Sequence, residues 1–273
     1  MLVRDARLEV TRDGTWIVLW GEPRPVELPP DFYLREPAAL DVEDIAAVTA
    51  FVGQWGRFGD HEHRDFGANA NEVRRTFGWQ AAQRRELYGN DLAAARFRSA
   101  GQLGVPVERR AFDLVHPIEV RYRAARLAQF GQTVLALRAG EPIAPLWQQL
   151  GERAQPSEDD ALRTFAAEVS AAASVFHVRL DVGPTAELWQ QPTGYSAGAL
   201  QLLNDLAGDV PYRRCASETC GRVFTRQRGR SEYGQHRQTG VRFCSRSCAR
   251  AQGERERRRR ARHRDTTKGG HRG

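Results

Sequence analysis

All four cysteines of this 273-residue chain lie near its C-terminus, and none occurs in the first 214 residues. They form two short pairs, Cys215-x4-Cys220 and Cys244-x3-Cys248, with 23 residues between the pairs. Structural zinc sites use four tetrahedral nitrogen or sulfur ligands, and two close pairs supply them without a long loop closure. The spacing therefore predicts one Zn²⁺ ion held by Cys215, Cys220, Cys244 and Cys248.

The N-terminus predicts the compartment, and the compartment and the number of ligands together predict the class of site. Residues 1–7 have no long apolar core, so no signal peptide is expected and the protein is placed in the reducing cytoplasm, where paired thiols favour metal over disulfides. The sequence contains no run of 18 uncharged apolar residues, so no membrane span is expected. Four protein ligands leave no open position for water, so the zinc is expected to be structural and the chain not to be an enzyme.

Charge divides the chain at about the same place. Residues 1–210 contain 22 arginines and no lysine against 29 acidic residues, a net charge of −7. Residues 211–273 contain 19 basic residues against 5 acidic ones, a net charge of +14. We therefore predict an acidic domain over 1–210, a basic zinc module over 211–264 and a disordered tail over 265–273.

The acidic domain is predicted to be mainly helical with a small β-hairpin. Alternating apolar residues around Asp13-Gly14 predict a hairpin over 7–20, and the proline-rich stretch 23–37 is expected to lack regular structure. Helical periodicity and capping residues predict helices over 41–55, 71–87, 92–100, 117–139, 143–150, 157–176 and 197–206, with one more strand over 178–182.

Little in the acidic domain indicates chemistry. It has no glycine-rich phosphate loop and no Gly-x-Ser-x-Gly motif. His61-Glu62-His63, followed by Asp65, could contact a metal, but a solvated polar loop is the favoured interpretation. His116 and His177 lie at predicted helix boundaries, where a structural or capping role is expected.

The cysteine module is predicted to be a treble-clef-like zinc finger. Gly221 suits the knuckle after Cys220, Val223-Phe224 is predicted to pair with a returning strand at 240–243, and the second cysteine pair then opens a helix capped by Ser245 or Ser247. Glu254 and Glu256 stand four residues before Arg258 and Arg260, which favours that helix, whereas Gly253 costs about 1 kcal/mol.

Arginines surround this module and predict contact with a phosphate backbone. The candidate nucleic-acid-binding residues are Arg226, Arg228, Arg230, Arg250, Arg257, Arg258 and Arg260. An alternative is a solvated basic tail that only aids solubility. That alternative gains weight because arginine outnumbers lysine 40 to 1 over the whole chain, which indicates a compositional bias.

Residues 214–224 (Arg-Cys-Ala-Ser-Glu-Thr-Cys-Gly-Arg-Val-Phe) and 243–248 (Phe-Cys-Ser-Arg-Ser-Cys) resemble the CGNR-type zinc finger of bacterial proteins in which a helical ABATE domain precedes the finger. The resemblance covers about residues 211–262 and implies a putative transcription regulator with the finger on DNA. It also implies metal ligation by the four cysteines. The name-giving Cys-Gly-Asn-Arg is replaced here by Cys248-Ala-Arg-Ala, and residues 229–240 form an insertion relative to the family's compact hairpin.

The expected function is transcription regulation through duplex DNA, with the N-terminal domain as a sensor of a small effector or as an oligomerisation domain. Two alternatives stay open. The basic module would serve an RNA-binding or ribosome-associated factor equally well, or it could be a zinc-stabilised module that docks an acidic protein.

Overall fold

A computed structural model of the chain describes residues 2–58, 90–106, 113–148, 156–173, 193–208, 210–225 and 242–269. Two compact units are formed, unit 1 over Met1–Leu206 and unit 2 over Ala207–Gly273. Unit 1 is mainly helical with a small antiparallel sheet, as predicted. Its elements are β1 (Leu2–Thr11), β2 (Gly14–Pro25), α1 (Phe32–Ala39), α2 (Ile45–Trp55), α3 (Asn90–Gln102), β3 (Leu114–Val115), α4 (Pro117–Ala139), α5 (Ala144–Trp147), α6 (Glu158–Ala173) and α7 (Gly194–Ala207). Unit 2 contains β4 (Tyr212–Arg214), β5 (Val223–Thr225) and α8 (Arg246–Gly269).

The N-terminal hairpin is longer than the predicted 7–20. Strands β1 and β2 pair antiparallel, Gly14 at the turn has a φ of +125°, and β3 adds to β2 in the order β1-β2-β3. Trp16 and Val18 of β2 pack with Leu114 and Tyr122 in the core of unit 1. The hairpin therefore provides one wall of that core.

The expectation that residues 23–37 lack regular structure is wrong. Strand β2 continues to Pro25, which lies opposite Leu2, and α1 begins at Phe32. Phe32 and Tyr33 are fully buried, and the Tyr33 hydroxyl donates to Asp205 Oδ2 at 2.8 Å. Burial of two aromatic side chains stabilises this short helix against the cost of the proline inside it.

Two predicted helix boundaries are confirmed and one is wrong. His116 caps α4 by accepting from the backbone N–H of Ile118. At α6, Ser157 Oγ accepts from the Asp160 backbone N–H at 3.1 Å and donates to its carboxylate, so Ser157 caps the helix at the predicted position. Helix α2, however, begins at Ile45 and not at residue 41, because Asp44 supplies the cap.

The predicted disordered tail over 265–273 is corrected in part, since α8 continues to Gly269. Residues 254–268 contain no proline and no glycine, so nothing in that stretch stops a helix once it has begun. The predicted helix over 71–87 and the predicted strand over 178–182 lie outside the described residues.

A buried ion pair joins α3 to α4 inside unit 1. Arg96 Nη2 donates to Glu119 Oε1, and both side chains are almost completely removed from solvent. Burial raises the pKa of Glu119, but Arg96, Arg57 and His116 outweigh it and the net pKa is lowered. Burial, followed by repulsion from Arg96, lowers the pKa of Arg57 to about 10. The Glu119 carboxylate and the neighbouring guanidinium groups therefore stabilise each other's charged forms in place of water.

Candidate metal centre and basic helix

The first cysteine pair lies on a knuckle between β4 and β5. The Cys215 backbone N–H donates to the Arg222 carbonyl at 2.7 Å, which closes the knuckle. Gly221 has a φ of +56°, in the left-handed region that favours glycine, as its position after Cys220 predicts. This turn brings the side chains of Cys215 and Cys220 to the same end of the two strands.

The second cysteine pair is attached to the first through backbone groups. The Ala216 N–H donates to the Arg242 carbonyl at 2.7 Å. The Cys244 N–H donates to Cys215 Sγ at 3.4 Å. An N–H directed at a sulfur is the contact expected around a thiolate ligand, because it offsets the negative charge.

The four thiols converge without a disulfide. Their Sγ atoms all lie within 4.8 Å of one another, and Cys244 Sγ is 3.6 Å from both Cys220 Sγ and Cys248 Sγ. A tetrahedral ion with metal–sulfur bonds of about 2.3 Å would place its sulfur atoms about 3.8 Å apart. Ser245 Oγ accepts from the Cys248 N–H and so caps α8 as predicted. The predicted ligand set can therefore hold a metal ion.

The surroundings of Cys220 and Cys244 shift the pKa values of their thiols in opposite directions. The N–H of Arg222 lowers the pKa of Cys220 to about 6, with its guanidinium Nε, 3.4 Å from the sulfur, adding to the effect. Burial raises the pKa of Cys244 to about 12, and the three neighbouring sulfurs contribute. Four thiolates at these distances repel one another, so a cation among them is needed for all four to be ionised.

The strand at Val223-Phe224 has a partner that was not predicted. Strand β5 pairs with β4, upstream of the first cysteine, with Phe224 opposite Arg213. Of the predicted strand at 240–243, Arg242 and Phe243 belong to no strand, and residues 240–241 lie outside the described residues. A knuckle, a short two-stranded sheet and a helix are present, but the predicted returning strand is not part of the described structure.

A polar clamp between the knuckle and α8 was not predicted. The Arg259 guanidinium donates two hydrogen bonds to the Glu218 carboxylate at 2.7 and 2.6 Å. The Gln252 amide donates to the same carboxylate at 3.2 Å and accepts from the Glu218 N–H at 3.3 Å. The hydrogen bonds from Arg259 and then Gln252 lower the pKa of Glu218. The signal in the sequence was the spacing of Gln252 and Arg259, four and eleven residues after Cys248, which places all three on one helix face.

Replacing Glu218 by glutamine is expected to loosen α8 without releasing the metal. The neutral amide cannot accept two charge-assisted hydrogen bonds from Arg259, so backbone amides over 252–259 should exchange faster in hydrogen-exchange mass spectrometry. Because the Glu218 pKa is lowered, the clamp persists down to the usual glutamate range and is lost as pH falls through the lowered value.

The matched control is Glu254→Gln. Glu254 also faces an arginine, Arg258, at 3.8 Å on the exposed surface of the same helix. Its replacement should leave exchange over 252–259 unchanged. Equal exchange in the two variants would show that the clamp does not hold the helix.

The candidate nucleic-acid-binding arginines that lie within the described residues are all exposed to solvent. Arg250, Arg257, Arg258 and Arg260 of α8 are all exposed and are not members of the clamp. Arg258 is the member that contacts an acidic residue, Glu254. The remaining candidates, Arg226, Arg228 and Arg230, lie outside the described residues. Arg259 stands among these arginines but is engaged with Glu218.

Other predicted sites contribute nothing further. His61, Glu62, His63 and Asp65, like His177, lie outside the described ranges. Within those ranges, no other group of three or more His, Cys, Asp or Glu side chains is placed to share a metal ion. None of the described helices combines the length and the apolar character needed to cross a membrane. Neither a family model, nor a curated protein, nor a solved structure matches this chain.

Proposed function

We propose that Cys215, Cys220, Cys244 and Cys248 hold one Zn²⁺ ion and that unit 2 is a structural zinc module. Thiolate ligands in a tetrahedral set are typical of zinc, and the sulfur separations of 3.6 Å support it. All four positions are filled by protein, so this zinc would not activate water. Its contribution would be to fold a module too small to depend on its own apolar core.

We further propose that unit 2 binds duplex DNA through α8. One observation carries this proposal: the cysteine cluster fixes the start of a long helix whose solvent face carries unclamped arginines. Residues 246–269 contain nine arginines and one lysine against three acidic residues. A concentration of positive charge on one rigid element favours a phosphate backbone, because binding releases condensed counterions.

Two features favour duplex DNA over RNA or single strands. An α-helix with its side chains is about 10–12 Å wide, which matches the B-form major groove of about 12 Å, whereas the RNA major groove is too narrow. Residues 246–269 contain no Phe, Tyr or Trp, the side chains on which single-stranded bases stack.

The wider role that we propose is regulation of transcription in the cytoplasm of a bacterium, with unit 1 as a sensor or oligomerisation domain. The resemblance of the finger to the CGNR type supports this role. The size of unit 1, three times that of unit 2, supports a separate task for it. Promoter activity that is unchanged by deleting residues 1–206 would overturn the sensor role.

The test compares zinc-loaded full-length protein on four probes of equal length: duplex DNA, duplex RNA and the two single strands. Fluorescence anisotropy is measured at several salt concentrations. Duplex DNA should bind at least about tenfold more tightly than duplex RNA, and log K should fall linearly with log salt concentration. The Cys215→Ser variant serves as the control with the same arginines but without the metal site.

The other outcomes point to other functions. A preference for RNA would indicate an RNA-binding factor. Equal binding to all four probes would indicate backbone attraction alone, and no detectable binding would favour a module that docks an acidic protein.

A further inference from the structure

Gly253 lies in the interior of α8, where glycine destabilises a helix. Its backbone is helical and does not adopt a positive φ. A Cβ atom added at this position would meet nothing within 4 Å. Neither backbone conformation nor packing among the described residues therefore requires glycine here, and a reason is to be sought in a partner that approaches the helix.

Arginines stand at four of the positions whose side chains lie near Gly253 on the helix, while Ala249 and Glu256 occupy the i−4 and i+3 positions. The arginines stand seven and three residues before it and four and seven residues after it, at Arg246, Arg250, Arg257 and Arg260, and all four are exposed. We call these four arginines with Gly253 the Gly253 patch. It is turned about 100–120° around α8 from Gln252 and Arg259, which contact Glu218 of the knuckle.

One contact shows how the patch is organised. Arg257 Nε donates to the Gly253 carbonyl at 3.3 Å. The guanidinium therefore lies over the turn that lacks a side chain, because helical side chains point toward the helix N-terminus. The turn at Gly253 therefore has no side chain of its own, and the Arg257 guanidinium lies against its carbonyl.

We propose that the Gly253 patch is the point of closest approach between α8 and a DNA duplex. The missing Cβ lets the edge of the groove reach the helix backbone, and the four guanidinium groups donate to phosphate oxygens beside it. This inference rests on the proposed function and adds the contact face to it. The charge pattern favours a polyanionic duplex, since four arginines outnumber the two nearby acidic residues: Glu254 is paired with Arg258, and Glu256 accepts from the Gln252 amide at 3.4 Å.

The decisive variants change Gly253 itself. Gly253→Ala should raise the melting temperature of unit 2 by roughly 4–8 °C, because alanine is the better helix former, and yet weaken duplex DNA binding at least about threefold. Gly253→Leu should weaken binding about tenfold or more, since its side chain fills the approach. Ser247→Leu adds comparable bulk on another side of the same helix and should leave the affinity unchanged.

A charge series tests the border of the patch. Arg257→Gln should weaken binding about tenfold and reduce the slope of log K against log salt by about one. Arg213→Gln removes the same charge from an exposed position on β4, outside the Gly253 patch, and should change the affinity less than twofold.

The results separate this inference from the proposed function. If zinc-loaded wild-type protein prefers duplex DNA but Gly253→Leu binds like Ser247→Leu, the patch is overturned and DNA binding stands. If the wild-type protein does not prefer duplex DNA, both are overturned. A gain in stability together with a loss of affinity in Gly253→Ala is the result that supports the patch.

Discussion

Replacing Cys215 by serine is expected to abolish metal binding and to unfold unit 2. Cys215 is the most buried of the four thiols, and its sulfur accepts the Cys244 N–H that joins the two cysteine pairs. Serine supplies no thiolate at that point, and binding of a structural zinc ion contributes about 10–16 kcal/mol of apparent free energy to modules of this kind. Hydrogen-exchange mass spectrometry should show loss of protection over 246–261.

The control for this variant is Ser247→Ala. Ser247 is exposed in the first turn of α8, beside the ligands but outside the ligand set. Its replacement should leave zinc content and exchange protection unchanged. Full protection of α8 in the metal-free Cys215→Ser protein would contradict a metal-dependent fold. In unit 1, exchange over 117–139 should be the same in all three proteins.

The second large effect is expected in unit 1, where Glu119→Gln should lower the free energy of unfolding by about 3–5 kcal/mol. The substitution leaves the Arg96 guanidinium, which is 0% exposed, without its carboxylate. The removed charge is also one that raises the pKa of the buried Arg57. Urea denaturation followed by tryptophan fluorescence measures the change, since Trp16 lies 5.9 Å from the Arg96 guanidinium.

The matched control is Asp159→Asn, which breaks an ion pair with Arg163 whose side chains are 77% and 81% exposed. No measurable loss of stability is expected there. The pH dependence gives a second readout. Because the Glu119 pKa is lowered in the folded state, its contribution is complete above the usual glutamate pKa and is lost as pH falls through the lowered value. Wild-type and Glu119→Gln stabilities should therefore converge in acid; a constant difference would contradict this assignment.

The parts of the fold that could be predicted from sequence are those determined by residues close together in the chain. His116-Pro117 at the start of α4 and Gly140 at its end carry their own signals, a cap, a fixed φ and a left-handed stop at +69°. The cysteine spacing is equally local, because two short pairs can be recognised as ligands without knowledge of the rest of the chain. These predictions are confirmed at the level of the helix boundaries and of a four-cysteine cluster able to hold a metal.

The elements that the sequence did not predict depend on contacts between distant parts of the chain. Helix α1 contains Pro37 and lies in a proline-rich stretch, so its propensity is poor, and its formation depends on burying Phe32 and Tyr33 against other elements. Strand β4 has the sequence Tyr-Arg-Arg, with no alternation of apolar and polar residues, and its pairing with β5 follows from the knuckle rather than from propensity.

The clamp at Glu218 shows the same limit within the candidate site. Counting charges identified Arg259 as one of four consecutive arginines, all alike in the sequence. The structure separates them, because Arg259 faces the knuckle and meets Glu218 from 41 residues earlier in the chain. The position of each arginine around the helix and the distant Glu218 carboxylate decide which arginines remain available to a partner. Neither can be deduced from composition.

X-ray absorption at the zinc edge of the full-length protein shows directly whether four thiolates hold one zinc ion at the start of α8. We predict one zinc per chain with four sulfur neighbours at about 2.3 Å. A shell with fewer than four sulfurs, completed by nitrogen or oxygen, would contradict it, as would a reduced protein that retains no zinc.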